Sequence, residues 1–254
     1  MIDEKHEKTW IYGVIPAGVE LEELRRRSDR LPGHVRVEEV GDLGAIVGDA
    51  PGEDAKAIRD QALAHARVLE TAVLDAPVVP FRFGMVVDDD SVGTELLQPW
   101  HDQLAALLES VKDYVQFTLK ATYLEDAVLR EILESYPEIA QLREQTRDLD
   151  EMATRDRRVR LGELVSLALG QLRERDSAAI MERLTPLSAV SRVESLEGEY
   201  MALNAPFLVD RRRVRSFEDA AGQVADEQVG RMKLTLHGPM PAFDFVGGGQ
   251  MPWA

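Results

Sequence analysis

Residues 78–87 read VVPFRFGMVV and run into Asp88-Asp89-Asp90. The stretch is apolar enough for a buried strand, yet Arg82 stands in its middle between two phenylalanines. Successive strand residues point to opposite sides. Val79, Phe81, Phe83 and Met85 are therefore expected on one face, and Val78, Pro80, Arg82 and Gly84 on the other. The arginine then need not enter the core that the phenylalanines fill. On the open face of the sheet it would pair with a carboxylate while its stem covers apolar neighbours; the alternative is a guanidinium that contacts a ligand or partner. The three aspartates read as a solvated turn and a helix cap. A magnesium site is disfavoured, because adjacent strand residues diverge and no second acidic motif stands at ligand spacing.

Working outward toward the N-terminus, residues 9–15 (TWIYGVI) are β-branched and aromatic and stop at Pro16, as a strand should. Residues 21–27 read as a short charged helix, and 35–40 and 43–47 flank Gly41-Asp42 as a hairpin. Residues 54–74 carry Ile58, Ala62, His65 or Ala66, Leu69 and Val73 at helical spacing. With 78–87 as the last strand, the order is strand, helix, two strands, helix, strand. That is the split βαβ plan, a four-stranded antiparallel sheet with helices on one face.

Downstream, a helix capped by Ser91 or Asp90 is expected through Leu96, Leu97, Leu104, Leu107, Leu108 and Val111, with Pro99 kinking it or fixing a later start. Residues 114–123 alternate as a half-buried strand, and 125–184 form a long helical region interrupted at Pro137 and near Thr154. Its polar middle suits two helices folded back on each other. Strands at 189–196 and 200–209, a helix over 217–231 with Ala221, Val224 and Val229 inward, and a last strand at 232–236 repeat the order of the first half. The tail GGGQMPWA reads as loose. The expected fold class is α+β in two modules. Residues 1–90 form a ferredoxin-like domain, 91–112 a connecting helix, and 113–254 a C-terminal α+β domain with a helical hairpin and a small antiparallel sheet.

Acidic residues outnumber basic ones 46 to 30, for a formal charge of -16. Such a polyanion is repelled by nucleic acid and by anionic lipid, so neither is an expected partner. The absence of cysteine excludes disulfides, thiolate metal sites and a cysteine nucleophile. No stretch approaches the roughly 18–20 apolar residues of a membrane span, and the first residues lack an apolar signal region; a cytoplasmic protein is expected. The five histidines form no HxxxH or HExxH pattern, and His65 reads as a boundary core residue. No GxSxG, GxxxxGK[ST] or GxGxxG occurs. Neither catalysis nor a cofactor or metal is expected. Two basic clusters, Arg155 with Arg157, Arg158 and Arg160, and Arg211 to Arg213 with Arg215, read as solvated helix faces; the alternative is a dock for an acidic partner surface.

The strand WIYGVIP (residues 10–16), the central VVPFRFGMVV and a C-terminal GPMPAFDFV (residues 238–246) together resemble the GvpL/GvpF family of gas vesicle proteins. The family's central strand reads like PvrFGt, which Pro80, Arg82, Phe83 and Gly84 match. Its last motif reads like GPWPPYSF: Gly238, Pro239, Pro241 and Phe245 match, Phe243 stands for the tyrosine, and Met240 and Ala242 depart. The segment RVRLGELV (residues 158–165) is also similar. The resemblance implies a two-domain α+β protein with a ferredoxin-like N-terminal part and no enzymatic activity. It implies a role in gas vesicle formation in the cytoplasm, with the main shell protein and other accessory gas vesicle proteins as partners. The leading expectation is an assembly factor that binds the hydrophobic shell protein. The alternatives are a minor structural component of the mature vesicle wall and a ligand-sensing ferredoxin-like module. The GvpL or GvpF paralogue stays open.

Overall fold

The computed structural model describes residues 8–26, 34–49, 55–88, 91–147, 149 and 154–246, with only the backbone at 55–57. The chain divides into two compact units. One comprises residues 1–117, 208–211 and 237–254; the other comprises 118–207 and 212–236.

The first unit is built on a sheet of β1 (Lys8–Pro16), β2 (Arg36–Val40), β3 (Leu43–Asp49), β4 (Val79–Pro80) and β5 (Val86–Asp88). The strand order is β2-β3-β1-β4, with β5 also on β1, and the pairs β1–β3, β1–β4, β1–β5 and β2–β3 are all antiparallel. Helix α1 (Glu22–Arg26) follows β1 and α2 (Ala55–Asp75) follows β3. Central β1 is apolar on both sides because both sides are covered. Ile11 and Val14 face Leu43, Ala45, Val47, Val79 and Phe81, under a layer supplied by a π-helical turn (Val92–Leu97) and α3 (His101–Val111). Trp10 and Tyr12 face His65 of α2 instead. A Cβ on Gly13 would point at the α2 side chain Leu69 and lie 2.6 Å from the Val79 carbonyl oxygen. Helices therefore cover both faces of this sheet, where the element order suggested one. The apolar residues Leu96, Leu97, Leu104 and Leu108 need a surface to bury against, and the second face provides it. Pro99 does fix a later start for α3, while Ser91 precedes the π-helical turn without a side-chain cap.

The stretch 78–87 is not one continuous strand. Phe81 N donates to Tyr12 O at 2.9 Å and Ile11 N donates to Met85 O at 3.0 Å, and between these bonds the chain bulges out in a turn at Phe83-Gly84. Gly84 holds a φ of 97°, a left-handed conformation open to glycine at no steric cost. Pro80 brings no N–H to the ladder. Val79, Phe81 and Met85 keep to the α3 face as expected. Phe83 crosses to the α2 face, 4.9 Å from the Trp10 ring.

Three strand ends, 114–117, 208–210 and 237–240, complete the first unit with α8 (Phe243–Val246). Val111, Leu208, Ala242 and Val246 form a small core there, flanked by Leu107, Tyr114 and Phe245.

The second unit holds most of the other sheet, β7 (Val190–Ser191), β8 (Met201–Asp210), β6 (Tyr114–Tyr123) and β9 (Met232–Met240), in the order β7-β8-β6-β9. The helical region is three helices rather than two: α4 (Glu125–Ser135), α5 (Pro137–Arg147) and the long α6 (Arg155–Leu184), with α7 (Val214–Glu227) later. Pro137 sits at the first position of α5, where its missing N–H costs nothing. Ala168, Leu169, Leu172, Asp176, Ile180 and Leu184 form the buried stripe of α6. The strand expected at 189–196 shortens to β7, although Glu194 N still donates to Asn204 O at 2.8 Å. Helix α7 ends before residue 229, so Val229 is 78% exposed rather than inward. The last strand extends to Met240. The tail expectation lies outside the described residues.

Candidate functional site

In the first unit the turn at 81–85 is held from below by one histidine. Trp10 Nε1 donates to His65 Nδ1 at 2.9 Å, so Nδ1 must be the acceptor; the proton sits on Nε2, which donates to Phe81 O at 2.9 Å. The imidazole also stacks on Tyr12 with centroids 5.1 Å apart. Burial pushes the His65 pKa below its ordinary value, against the opposing effect of the Phe81 carbonyl. A second ring proton would face the indole N–H. His65 is thus a neutral two-way clamp in the core.

Above this clamp Phe83 lies edge-on to His65 with centroids 5.9 Å apart and keeps 37% of its surface exposed. Val86 of β5 is 38% exposed, and Ile58, on the α2 stripe that continues through Ala62 to His65, is also exposed. No strand pairs with the outer side of β5 among the described residues. Arg82 is exposed and makes no ion pair among the described residues.

The C-terminal motif is placed differently. Gly238 has a φ of 134°, and a Cβ there would lie 2.7 Å from Gln116 O and 2.7 Å from a Phe117 ring carbon. The Gly238–Pro239 bond is cis. Pro241 and Ala242 are buried, and Phe243 and Phe245 are half-buried in α8. Asp244 N donates to Gln116 Oε1 at 3.0 Å while Gln116 Nε2 donates back to the Asp244 carboxylate. Helix α8 packs against β4. The structure therefore brings Pro80 and the 243–246 segment together, with Gly238, Pro239 and Pro241 leading into that contact. Arg82, Phe83 and Gly84 stand in the exposed turn.

Of the two basic clusters, Arg155, Arg157 and Arg160 lie on a solvated face, but Arg158 donates to Thr154 Oγ1 at 3.1 Å and to Thr146 O at 3.0 Å, tying α5 to α6. Arg211 is half-buried. It donates to Val73 O at 2.8 Å and Ala76 O at 3.1 Å, satisfying carbonyls at the C-terminal end of α2. Burial lowers its pKa, with Asp113 opposing.

A polar network in the second unit escaped the sequence. Asp176 accepts from the Tyr123 hydroxyl at 2.6 Å, from Arg231 at 2.5 Å and from Arg175 at 3.0 Å. Glu131 accepts from Arg231 at 2.7 Å and from Arg175 at 3.0 Å. Burial alone would raise the Asp176 carboxyl, but bonds from Arg175, Tyr123 and Arg231 outweigh it and hold it below its ordinary value. Burial and the Asp176 bond push the Tyr123 hydroxyl well up. Asp176 and Glu131 each accept three hydrogen bonds from these side chains, so the network reads as a structural clamp. The one signal in the sequence was Asp176 within an apolar stripe. Among the described residues no group of three or more His, Cys, Asp or Glu could hold a metal ion, and no helix is long and apolar enough to cross a membrane.

Two antiparallel sheets with a long helix define an α+β protein whose exposed features are surfaces. The chain belongs to the family described as gas vesicle synthesis protein GvpL/GvpF, whose pattern matches residues 8–247. It is 31% identical over 239 residues to gas vesicle protein F of a Streptomyces species, covering 94% of this chain and 99% of the relative. It is 25% identical over 245 residues to gas vesicle protein F of Dolichospermum flosaquae, covering 93% and 96%. Its fold matches the crystal structure of GvpF from Anabaena sp. PCC7120 with a TM-score of 0.74 at 21% identity, covering 96% of this chain and 100% of that one. GvpF from Microcystis aeruginosa matches with a TM-score of 0.70 at 19% identity, covering 94% and 99%. The family is one of gas vesicle synthesis and is not known for enzymes.

Proposed function

We propose that this protein is a cytoplasmic accessory factor that binds the hydrophobic shell protein and, with other accessory gas vesicle proteins, keeps it competent for vesicle assembly. The observation that supports this reading is the outer side of β5, on which no strand pairs among the described residues, flanked by exposed Phe83 and Val86. A sheet edge with apolar side chains beside it accepts an added strand through main-chain hydrogen bonds. A subunit that forms a water-excluding wall exposes apolar surface before it polymerises, and covering that surface prevents aggregation. The formal charge of -16 keeps such a complex soluble. In this reading the first unit is a ferredoxin-like module, Arg82 and Phe83 meet the partner, and Gly238, Pro239, Pro241, Phe243 and Phe245 hold α8 against β4.

Co-expression with the main shell protein tests it. Shell protein should co-purify and stay soluble with the parent chain and be lost with Phe83→Ser/Val86→Lys. Equal recovery with the variant overturns the site, and no recovery with the parent overturns the function. Retention on floating vesicles after a denaturant wash would favour a structural part of the wall.

A further inference from the structure

We infer that an open groove on the helices of the second unit takes the apolar face of an amphipathic helix whose flanks carry acidic residues. The groove encloses about 510 Å³. Its floor is Ile132 and Ile139, both buried, and its walls include half-buried Leu129, Leu133, Leu161 and Val165. On α4 the lining residues Asp126, Leu129, Arg130 and Leu133 recur at spacings of three and four; on α6 Leu161 and Val165 stand four apart. The groove thus runs between ordered helical rows. These rows are the parts of the apolar stripes on α4 and α6 that the three helices leave uncovered.

The kind of occupant follows from what the lining offers. Side chains of three helices form it, and the backbone N–H and C=O groups of those helices are engaged within them, so an added strand finds no ladder there. A helix brings its own hydrogen bonds and needs only apolar contact. Charge selects its flanks. Arg130 and Arg143 stand exposed at the rim and make no ion pair among the described residues, against one rim carboxylate, Asp126. Some arginines of these helices are paired, as in Arg147–Glu144, Arg160–Glu163 and Arg175–Glu131, and Arg155 and Arg157, like the rim pair, make no ion pair among the described residues but do not line the groove. In a chain with 46 acidic and 30 basic residues, two guanidiniums that make no ion pair among the described residues, set beside an apolar groove, mark a surface complementary to acid. This surface is separate from the β5 edge and does not depend on it.

The test uses the full chain and three synthetic peptides of one leucine-faced helix, with glutamates flanking the apolar face, with lysines there, or with the order scrambled. Fluorescence anisotropy should show saturable binding of the glutamate peptide alone. Arg130→Glu/Arg143→Glu should weaken it about tenfold or more, as like charges are brought together. Val165→Trp, which fills the groove, should also weaken it, while Phe83→Ser/Val86→Lys should leave it unchanged. Circular dichroism of each variant keeps misfolding apart from lost binding. The inference is overturned by absent binding, by equal binding of the lysine peptide, or by binding indifferent to both the rim and the filling substitution. Stoichiometric displacement of the peptide by a fatty acid, with no rim dependence, would make the groove a lipid-tail site and overturn it too.

Discussion

Removing the Asp176 carboxylate separates a structural clamp from an ornament of the surface. Asp176→Ala deletes three hydrogen bonds at once. The Tyr123 hydroxyl is stranded in a buried place, which costs about 1–3 kcal/mol. Arg231 keeps Glu131 and so loses only the lower part of a charged bond, about 1.5 kcal/mol. Arg175 is 57% exposed on its side chain and its pair with Asp176 is worth less than about 1 kcal/mol. The expected loss is about 3–4 kcal/mol in the second unit. In urea this is a fall of about 1.5–2 M in that unit's midpoint, for a slope of about 2 kcal/mol per M. Adding Tyr123→Phe should recover about 1 kcal/mol, because the stranded hydroxyl is then gone. The acid limb gives a second reading. The folded carboxyl lies below its ordinary 3.8, so its contribution is complete above that value and is lost as pH falls through the folded pKa. Asp176→Ala should flatten that limb. A loss under about 1 kcal/mol, with the acid limb unchanged, would refute the clamp.

Three further outcomes are expected. Gly13→Ala forces a Cβ to 2.6 Å from a backbone oxygen in a covered sheet and should destabilise the first unit by about 1–3 kcal/mol in urea unfolding. His65 is held neutral with its pKa below 6.5, so its share of stability is complete above that value and is lost as pH falls through the folded pKa. Nuclear magnetic resonance titration of the ring should show the proton on Nε2 at neutral pH, and His65→Leu should remove that pH dependence. Gln116→Leu deletes both bonds to Asp244, and hydrogen exchange of the α8 amides should then rise by about tenfold or more, for a loss above about 1.4 kcal/mol.

Much of the first sheet was legible because its signals are local. The residues 9–15, the Gly41-Asp42 hairpin and the α2 stripe each declare period and punctuation within a few positions. The break at 81–85 was half-declared: Pro80 and Gly84 mark it, but the alternation of Val79, Phe81, Phe83 and Met85 spoke louder. What decides the matter is the Phe83 contact with Trp10, 73 positions away in sequence. The same limit hid the Tyr123–Asp176–Arg231 network and the role of Arg211 under α2, whose partners are brought together only by the fold. The motif residues were legible as residues, and their sorting into the exposed turn and the buried α8 contact came from the structure alone.

The first unit draws on residues 1–117 and then waits for 208–211 and 237–246 to supply Arg211 and α8. During synthesis residues 1–117 emerge long before these pieces, with the carbonyls of Val73 and Ala76 uncapped and the side of β4 toward α8 bare. A ribosome must add more than a hundred residues before the first-made part can close. At about 5–20 residues per second, that interval lasts about 5–25 seconds. The order of translation thus leaves the N-terminal sheet the last to be finished, and damage near residue 240 would be felt as instability near residue 80.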